Sequence, residues 1–237
     1  MEWVIDLNAD VGEGGPDDES LISSGITSAN VACGGHAGDD DTMGRICEMV
    51  RRHGVALGAH PGYEDRAYFG RRVRVMEPEV LRASLSAQLW RLQSHAHAVG
   101  LKILHVKPHG ALYHQANTEV AVAEAILDAM QRATPEACLL AFPEGALREL
   151  ARQRGVRYVA EGFVDRRYLP SGQLMPRSLP EAMITNEDDA VAQALALARS
   201  GQVQSLCVHG DGLHALRLLA AARRMLMAEA FRFSPPR

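Results

Sequence analysis

Seven short apolar runs in this chain each end in a cluster of acids, histidines or other polar side chains, and that repetition limits the possible folds more than any other feature. Val4-Ile5-Asp6-Leu7 leads into Asn8, Asp10 and Glu13, Ala29-Asn30-Val31-Ala32-Cys33 into His36 and Asp39, and Val55-Ala56-Leu57-Gly58 into His60 and Asp65. Ile103-Leu104-His105-Val106 leads into Lys107, His109 and Tyr113, and Cys138-Leu139-Leu140-Ala141 into Glu144. Arg157-Tyr158-Val159-Ala160 leads into Glu161, Asp165 and Arg166, and Ser205-Leu206-Cys207-Val208 into His209 and Asp211. Runs of this length suit strands. Chemistry placed after each of them is the arrangement of a parallel α/β barrel, whose active site gathers where the strand C-termini meet.

Helical patterns fill the intervals. Residues 41–53 carry Met43, Ile46, Cys47 and Val50 at helical spacing, closed by Gly54. Residues 78–99 put Val80, Leu81, Leu85, Leu89 and Leu92 on one face behind a first-turn proline. Further helices are expected over 118–133 with Thr118 as cap, 145–154, 187–200 and 212–228. Strands alternating with helices imply βαβ units and a parallel sheet. The 237 residues match the roughly 250 that one such barrel uses, so a single domain over 1–237 is expected, with 231–237 as a loose tail. The stretch 165–186, containing Pro170, Gly172, Pro176 and Pro180, is too long for an ordinary connection and is expected to be functional or a lid.

The net charge of −4, from 25 basic and 29 acidic residues, offers no basic excess for nucleic acid and no basic stripe for a membrane surface. No apolar run approaches the roughly 20 residues of a membrane span, and the first residues lack the pattern of a signal peptide. A cytoplasmic protein is expected. Cys33, Cys47, Cys138 and Cys207 show no CxxC pairing and are expected to be small buried hydrophobes.

The strongest local signal is the segment 6–14, D-L-N-A-D-V-G-E-G. Alternation puts Asp6, Asn8 and Asp10 on one side of an extended run, where they need buried partners. The segment 30–39, N-V-A-C-G-G-H-A-G-D, surrounds His36 with glycines, and Asp39 can cap the helix that follows. No GxxxxGK[ST] and no GxGxxG occurs, so no recognisable nucleotide-binding loop is present in the sequence. The strand-end histidines His36, His60 and His109 could converge with Asp10, a donor set that suits a divalent transition metal. His53, His95, His97 and His114 are read as surface residues. Lys107 follows an apolar run and is expected to be partly buried beside an anion, either as a general acid or base or as the holder of a carboxylate. Arg71-Arg72 and Arg166-Arg167 are further anion-binding candidates.

These motifs, with G-A-H-P-G-Y-E-D at 58–65, F-G-R-R at 69–72, V-K-P-H-G-A-L-Y at 106–113, E-G-F-V-D-R-R-Y at 161–168 and V-H-G-D at 208–211, resemble the LamB/YcsF family in its own motif order. The resemblance implies a seven-stranded (β/α) barrel like those of the glycoside hydrolase/deacetylase superfamily. It also implies ATP-dependent opening of 5-oxo-L-proline, a small-molecule lactam, to L-glutamate, in company with two further subunits, B and C. On that footing ATP is consumed by the complex and a divalent metal would sit at Asp10, His60 and His109. The catalytic set is expected in Asp10, Glu13, His36, Asp39 and Lys107. Asn8, Asn30, Asp65, Arg71, Tyr113, Arg166 and His209 are expected around the substrate. The chain departs from the family at Gly212-Leu213 in place of Asn-Pro, at His214, at Tyr68, and over 231–234. Two rival readings remain open: a metal-dependent deacetylase or amidohydrolase acting alone, and a subunit that only presents substrate.

Overall fold

The computed structural model describes residues 3–15, 18–210 and 214–236. All seven expected runs are strands: β1 (Trp3–Val11), β2 (Ser28–Ala32), β3 (Ala56–His60), β4 (His105–Val106), β5 (Cys138–Ala141), β6 (Tyr158–Phe163) and β7 (Ser205–Val208). Each pairs in parallel with the next, and β1 pairs with both β2 and β7, so the sheet closes into a seven-stranded parallel barrel. The helices surround it: α1 (Asp18–Ser23), α2 (Asp40–His53), α3 (Pro78–Ala98), α4 (Gly110–Ala116), α5 (Val120–Ala133), α6 (Ala146–Gln153), α7 (Glu187–Ser200) and α8 (Ala215–Ala228).

Three differences from the sequence reading have physical causes. Phe231–Phe233 is not part of a loose tail: it forms a strand, β8, beside the first residues of β1, with Trp3 opposite Phe231 and Ile5 opposite Phe233. β7 pairs with β1 from Asp6 onward and β2 from Asn8 onward, and β8 pairs with the residues of β1 that precede both. Helix α5 begins two residues later than expected, with Glu119 rather than Thr118 at its N-cap. The short helices α1 and α4 were not expected, because neither carries a full amphipathic period. The expected start of the last helix at Gly212, and Asp211 with it, lie outside the described residues.

Side chains divide cleanly along β1. Ile5, Leu7, Ala9 and Val11 point outward into the main apolar cluster, which they share with Leu85, Leu89 and Leu92 of α3 and Ile126 of α5. Asp6, Asn8 and Asp10 point inward and are buried. A small separate apolar cluster of Cys138, Leu140 and Val159 fills the opposite part of the interior. Gly58 belongs to this design: a Cβ there would overlap the inward His105 ring.

Candidate functional site

The inward residues build upward in layers. At the floor, Asp6 accepts hydrogen bonds from Thr27 Oγ1 (2.7 Å), Ser28 Oγ (2.9 Å) and Ser205 Oγ. Burial, opposed by those hydrogen bonds, pushes its carboxyl up to about 6. One layer higher, Asn8 Nδ2 donates to Glu161 Oε1 (3.0 Å) and Ser205 Oγ (2.8 Å), while Asn30 Nδ2 donates to Asn8 Oδ1 (2.7 Å) and Asp10 Oδ1 (2.8 Å). His105 Nε2 meets Asn30 Oδ1 at 2.6 Å, and burial lowers that imidazole to about 3, so it donates as a neutral ring.

Lys107 lies at the centre of the next layer. Its ammonium reaches Asp10 Oδ1 at 2.8 Å, Glu161 Oε1 at 2.9 Å and Cys207 Sγ at 3.0 Å. Burial alone would discharge it, but Asp10, Cys207 and Glu161 overcome that and raise it well above an ordinary lysine. The same attraction, with that of His60, outweighs burial at Asp10 and holds its carboxyl well below the usual range. An ammonium has three N–H groups, and these partners use them. The anion expected beside Lys107 is thus supplied within the protein, by Asp10 and Glu161. Asp10 Oδ2 has only a 3.4 Å contact with His60 Nε2, so it is the oxygen left to the cavity above.

The histidines form a second assembly. Ligand-capable atoms of Glu13, His36, His60 and His109 lie within 4.8 Å of one another. Backbone carbonyls, which can only accept, set two of the rings. His60 Nδ1 donates to Lys107 O (2.7 Å) and His109 Nε2 donates to Phe69 O (2.9 Å). Their other nitrogens, His60 Nε2 and His109 Nδ1, therefore face each other at 3.0 Å, with Glu13 Oε1 at 3.6 and 3.2 Å. Two imidazole lone pairs beside a carboxylate at such range require a proton or a cation between them. Consistently, His60 is raised, because Asp10 and Glu13 overcome its burial, whereas burial lowers His109 and takes His36 to about 3. His36 Nε2 reaches Glu13 Oε1 at 2.8 Å and its ring stacks on His109 at 3.6 Å. The turn holding Phe69 O is strained, with φ of 55° at Phe69 and 61° at Gly70, where a Cβ would press on His36 and His109.

The donor set fits a divalent first-row ion. It offers one carboxylate and imidazoles, with second nitrogens anchored by carbonyls, which is how metal-ligating histidines are oriented. It contains His60 and His109 of the expected Asp10–His60–His109 set together with Glu13 and His36, and Asp10 Oδ2 lies 3.4 Å from His60 Nε2.

Asp10, His60, Lys107, His109, Tyr113 and His209 open onto one cavity of about 390 Å³. Asp165 accepts from the His209 backbone N–H (3.0 Å) and from Nδ1 (2.9 Å), leaving Nε2 for a reacting group. Burial works against its charge, but His209 holds the Asp165 carboxyl below the usual range. Asp10, Cys207 and His209 bring ligand-capable atoms within 4.8 Å of one another. Arg71 and Arg166 also line the cavity, joined by Arg177 from the 165–186 stretch, which forms one wall with Leu174, Met175 and Pro176. Burial and the charge of Arg177 lower Arg166 to about 10.

Four expected site residues lie elsewhere. Asp39 is exposed and caps α2 through Thr42 N (2.8 Å). Asn8 and Asn30 are fully buried beneath the cavity and committed to other side chains. Asp65 is buried where its backbone holds the 66–70 turn, outside the cavity lining. His114, read as a surface residue, borders the cavity. Glu161, Asp165 and Arg177 were not among the expected site residues. Glu161 and Asp165 carried a signal, as acids at a strand end, whereas Arg177 carried none.

The LamB/YcsF family model matches residues 5–237. The A subunit of a 5-oxoprolinase from Carboxydothermus hydrogenoformans is 43% identical over 239 residues, covering 94% of this chain and 93% of that protein. The crystal structure of a lactam utilization protein from Thermus thermophilus superimposes with a TM-score of 0.89 at 35% identity, covering 99% of both chains. The catalytic domain of a peptidoglycan N-acetylglucosamine deacetylase from Eubacterium rectale shares the fold, with a TM-score of 0.56 at 13% identity over 99% of this chain and 89% of that one.

Proposed function

The chain belongs to the LamB/YcsF family, and we propose that it is the component of a 5-oxoprolinase that hydrolytically opens the lactam ring of 5-oxo-L-proline to L-glutamate. The observation that carries this reading is the pairing, at one cavity, of a carboxylate with an available oxygen and an imidazole held by a buried acid: Asp10 and Asp165–His209. Such a pair supplies the base and the acid that amide hydrolysis requires.

Asp10 Oδ2 takes a proton from the attacking water. Lys107 keeps that carboxylate ionised and Asn30 fixes its other oxygen. In its protonated form His209, with Nδ1–H held by Asp165, gives its Nε2 proton to the departing nitrogen and is left neutral. Arg71 and Arg166 receive the substrate carboxylate. Glu13, His36, His60 and His109 would hold a divalent ion, which when bound supplies Lewis-acid polarisation of the lactam carbonyl. An unstrained lactam is a stabilised amide, and phosphorylation of its oxygen by ATP at partner subunits B and C, with release of ADP, would make the carbon more electrophilic; water addition and C–N cleavage then leave an acyl phosphate, and a second water releases phosphate and L-glutamate.

The test is glutamate release and ATP hydrolysis by the purified chain with and without subunits B and C. Coupled release only in the full assembly is the expected result. Hydrolysis of N-acyl compounds by the chain alone, without ATP, would instead make it a stand-alone deacetylase. Full activity of an assembly carrying Asp10→Asn would reduce the chain to presenting substrate. Elemental analysis of protein purified without chelator is expected to find one divalent ion per chain, lost in His60→Ala.

A further inference from the structure

Glu161 is buried inside the barrel with both carboxylate oxygens directed at donors, and the chemistry proposed above does not use it. Its Oε1 receives Asn8 Nδ2 at 3.0 Å and Lys107 Nζ at 2.9 Å, and its Oε2 receives Tyr113 Oη at 3.0 Å. Lys107 thereby stands between two carboxylates, Asp10 on β1 and Glu161 on β6, with Cys207 of β7 taking its third N–H. An ammonium pairs as a point charge and can settle against either oxygen of a neighbouring carboxylate, wherever its other partners hold it. Here it lies against Asp10 Oδ1 at 2.8 Å, while Oδ2 has its contact with His60 Nε2 at 3.4 Å and Asp10 borders the cavity.

We infer that Glu161 is a positioning residue, whose competing grip on Lys107 keeps the ammonium off Asp10 Oδ2 and so leaves that oxygen free to accept a proton. Glu161 touches no substrate in this account and acts through Lys107. The tether on Tyr113 fixes Glu161 from the cavity wall on α4, so the barrel axis and the wall are set by the same carboxylate. Without Glu161, one N–H of Lys107 loses its acceptor, and Asp10 is the carboxylate left beside the ammonium.

The inference rests on the reading of Asp10 as base, and a double-mutant cycle with a spectroscopic readout separates the two. Glu161→Gln, Lys107→Met and the double variant are assayed in the assembled complex. Glu161→Gln is expected to lower kcat roughly 30-fold with KM within about twofold, because substrate contacts are untouched. In the Lys107→Met background the same change is expected to alter kcat by less than about twofold. Equal losses in both backgrounds, or a loss carried by KM, would overturn the inference. In parallel, the Lys107 ammonium is followed by 15N-detected NMR of the isolated chain. A slowly exchanging signal in the wild type is expected to be lost or strongly shifted in Glu161→Gln, and an unchanged signal would overturn the inference whatever the kinetics. Should Glu161→Gln fail to fold, Glu161→Asp, which keeps the charge and shortens its reach, replaces it in both measurements. If the wild-type complex releases no glutamate, the proposed function falls, and the ammonium signal alone decides the role of Glu161.

Discussion

The two faces of one sheet differ more than the sheet differs from its surroundings. Outside the barrel, the strands meet the helices through leucine, isoleucine, valine and alanine, with Leu57, Leu89 and Leu92 buried to 1% exposure or less. Inside, the strand face around β1 is a chain of hydrogen-bonded acids, amides, hydroxyls and one ammonium, beside a small apolar cluster of Cys138, Leu140 and Val159. Barrels of this kind commonly fill their interior with layers of branched apolar residues. This one places its stabilising apolar surface in the outer shell and gives the interior to polar groups that orient a carboxylate. The shell should therefore govern stability, and the interior should govern both stability and rate.

The sharpest break in that division is Lys107→Met. It leaves Asp10 and Glu161 buried without their cation, so a stability loss of about 3–5 kcal/mol is expected, as for breaking a buried ion pair. In chemical denaturation with parallel kinetics, the folded fraction should also lose roughly 100-fold in kcat/KM. A stable variant with unchanged kinetics would remove Lys107 from the site. Leu89→Ala in α3 probes the shell. It should cost about 2–5 kcal/mol, as core truncations do, while kcat/KM of the folded fraction stays at wild type. A kinetic loss there would mean that the shell and the interior are not separable.

The floor of the interior offers a pH test. The folded value of Asp6, about 6, lies above its ordinary 3.8, so the fold favours the protonated carboxyl. Its contribution is full below pH 3.8 and is lost as pH rises through about 6, with a ceiling of roughly 3 kcal/mol by linkage. Asp6→Asn should flatten the stability profile across that window, read by thermal unfolding from pH 4 to 7. A profile as steep as the wild type would assign the dependence to another group. The smallest effect is expected at Asp39→Ala: about 1 kcal/mol from loss of the α2 cap, with kcat/KM unchanged. A large kinetic loss would return Asp39 to the site.

The barrel was legible because each strand is a compact apolar run followed by chemistry, and alternation at Asp6, Asn8 and Asp10 showed which side carried it. What alternation could not show is how far up each side chain ends. Asn8 and Asn30 share a face with Asp10 but lie below the cavity floor. The place of Glu13 beside the histidines depends on the 12–15 turn, and the ion pair of Asp10 depends on Lys107, a residue 97 positions away. Arg177 sits among prolines and has no local pattern; only the path of the 165–186 stretch across the mouth brings it to the cavity. β8 escaped notice because three residues are too few for a periodic signal, and their partner, Trp3–Ile5, is distant in sequence.

The three-way pairing of β1 sets the order in which a growing chain can become active. β1 carries the proposed base and emerges from the ribosome before the other strands, yet its neighbour β7, from Ser205, lies 199 positions later than Asp6 in their register. Until that strand emerges, β1 presents an open edge and Asp6 and Asn8 lack Ser205, one of the partners that justify their burial. Such long-range closure is slow relative to local contacts and leaves edges exposed to association. His209, the proposed proton donor, arrives on the same segment that seals the barrel, so closure of the barrel and completion of the catalytic pair are one event in synthesis.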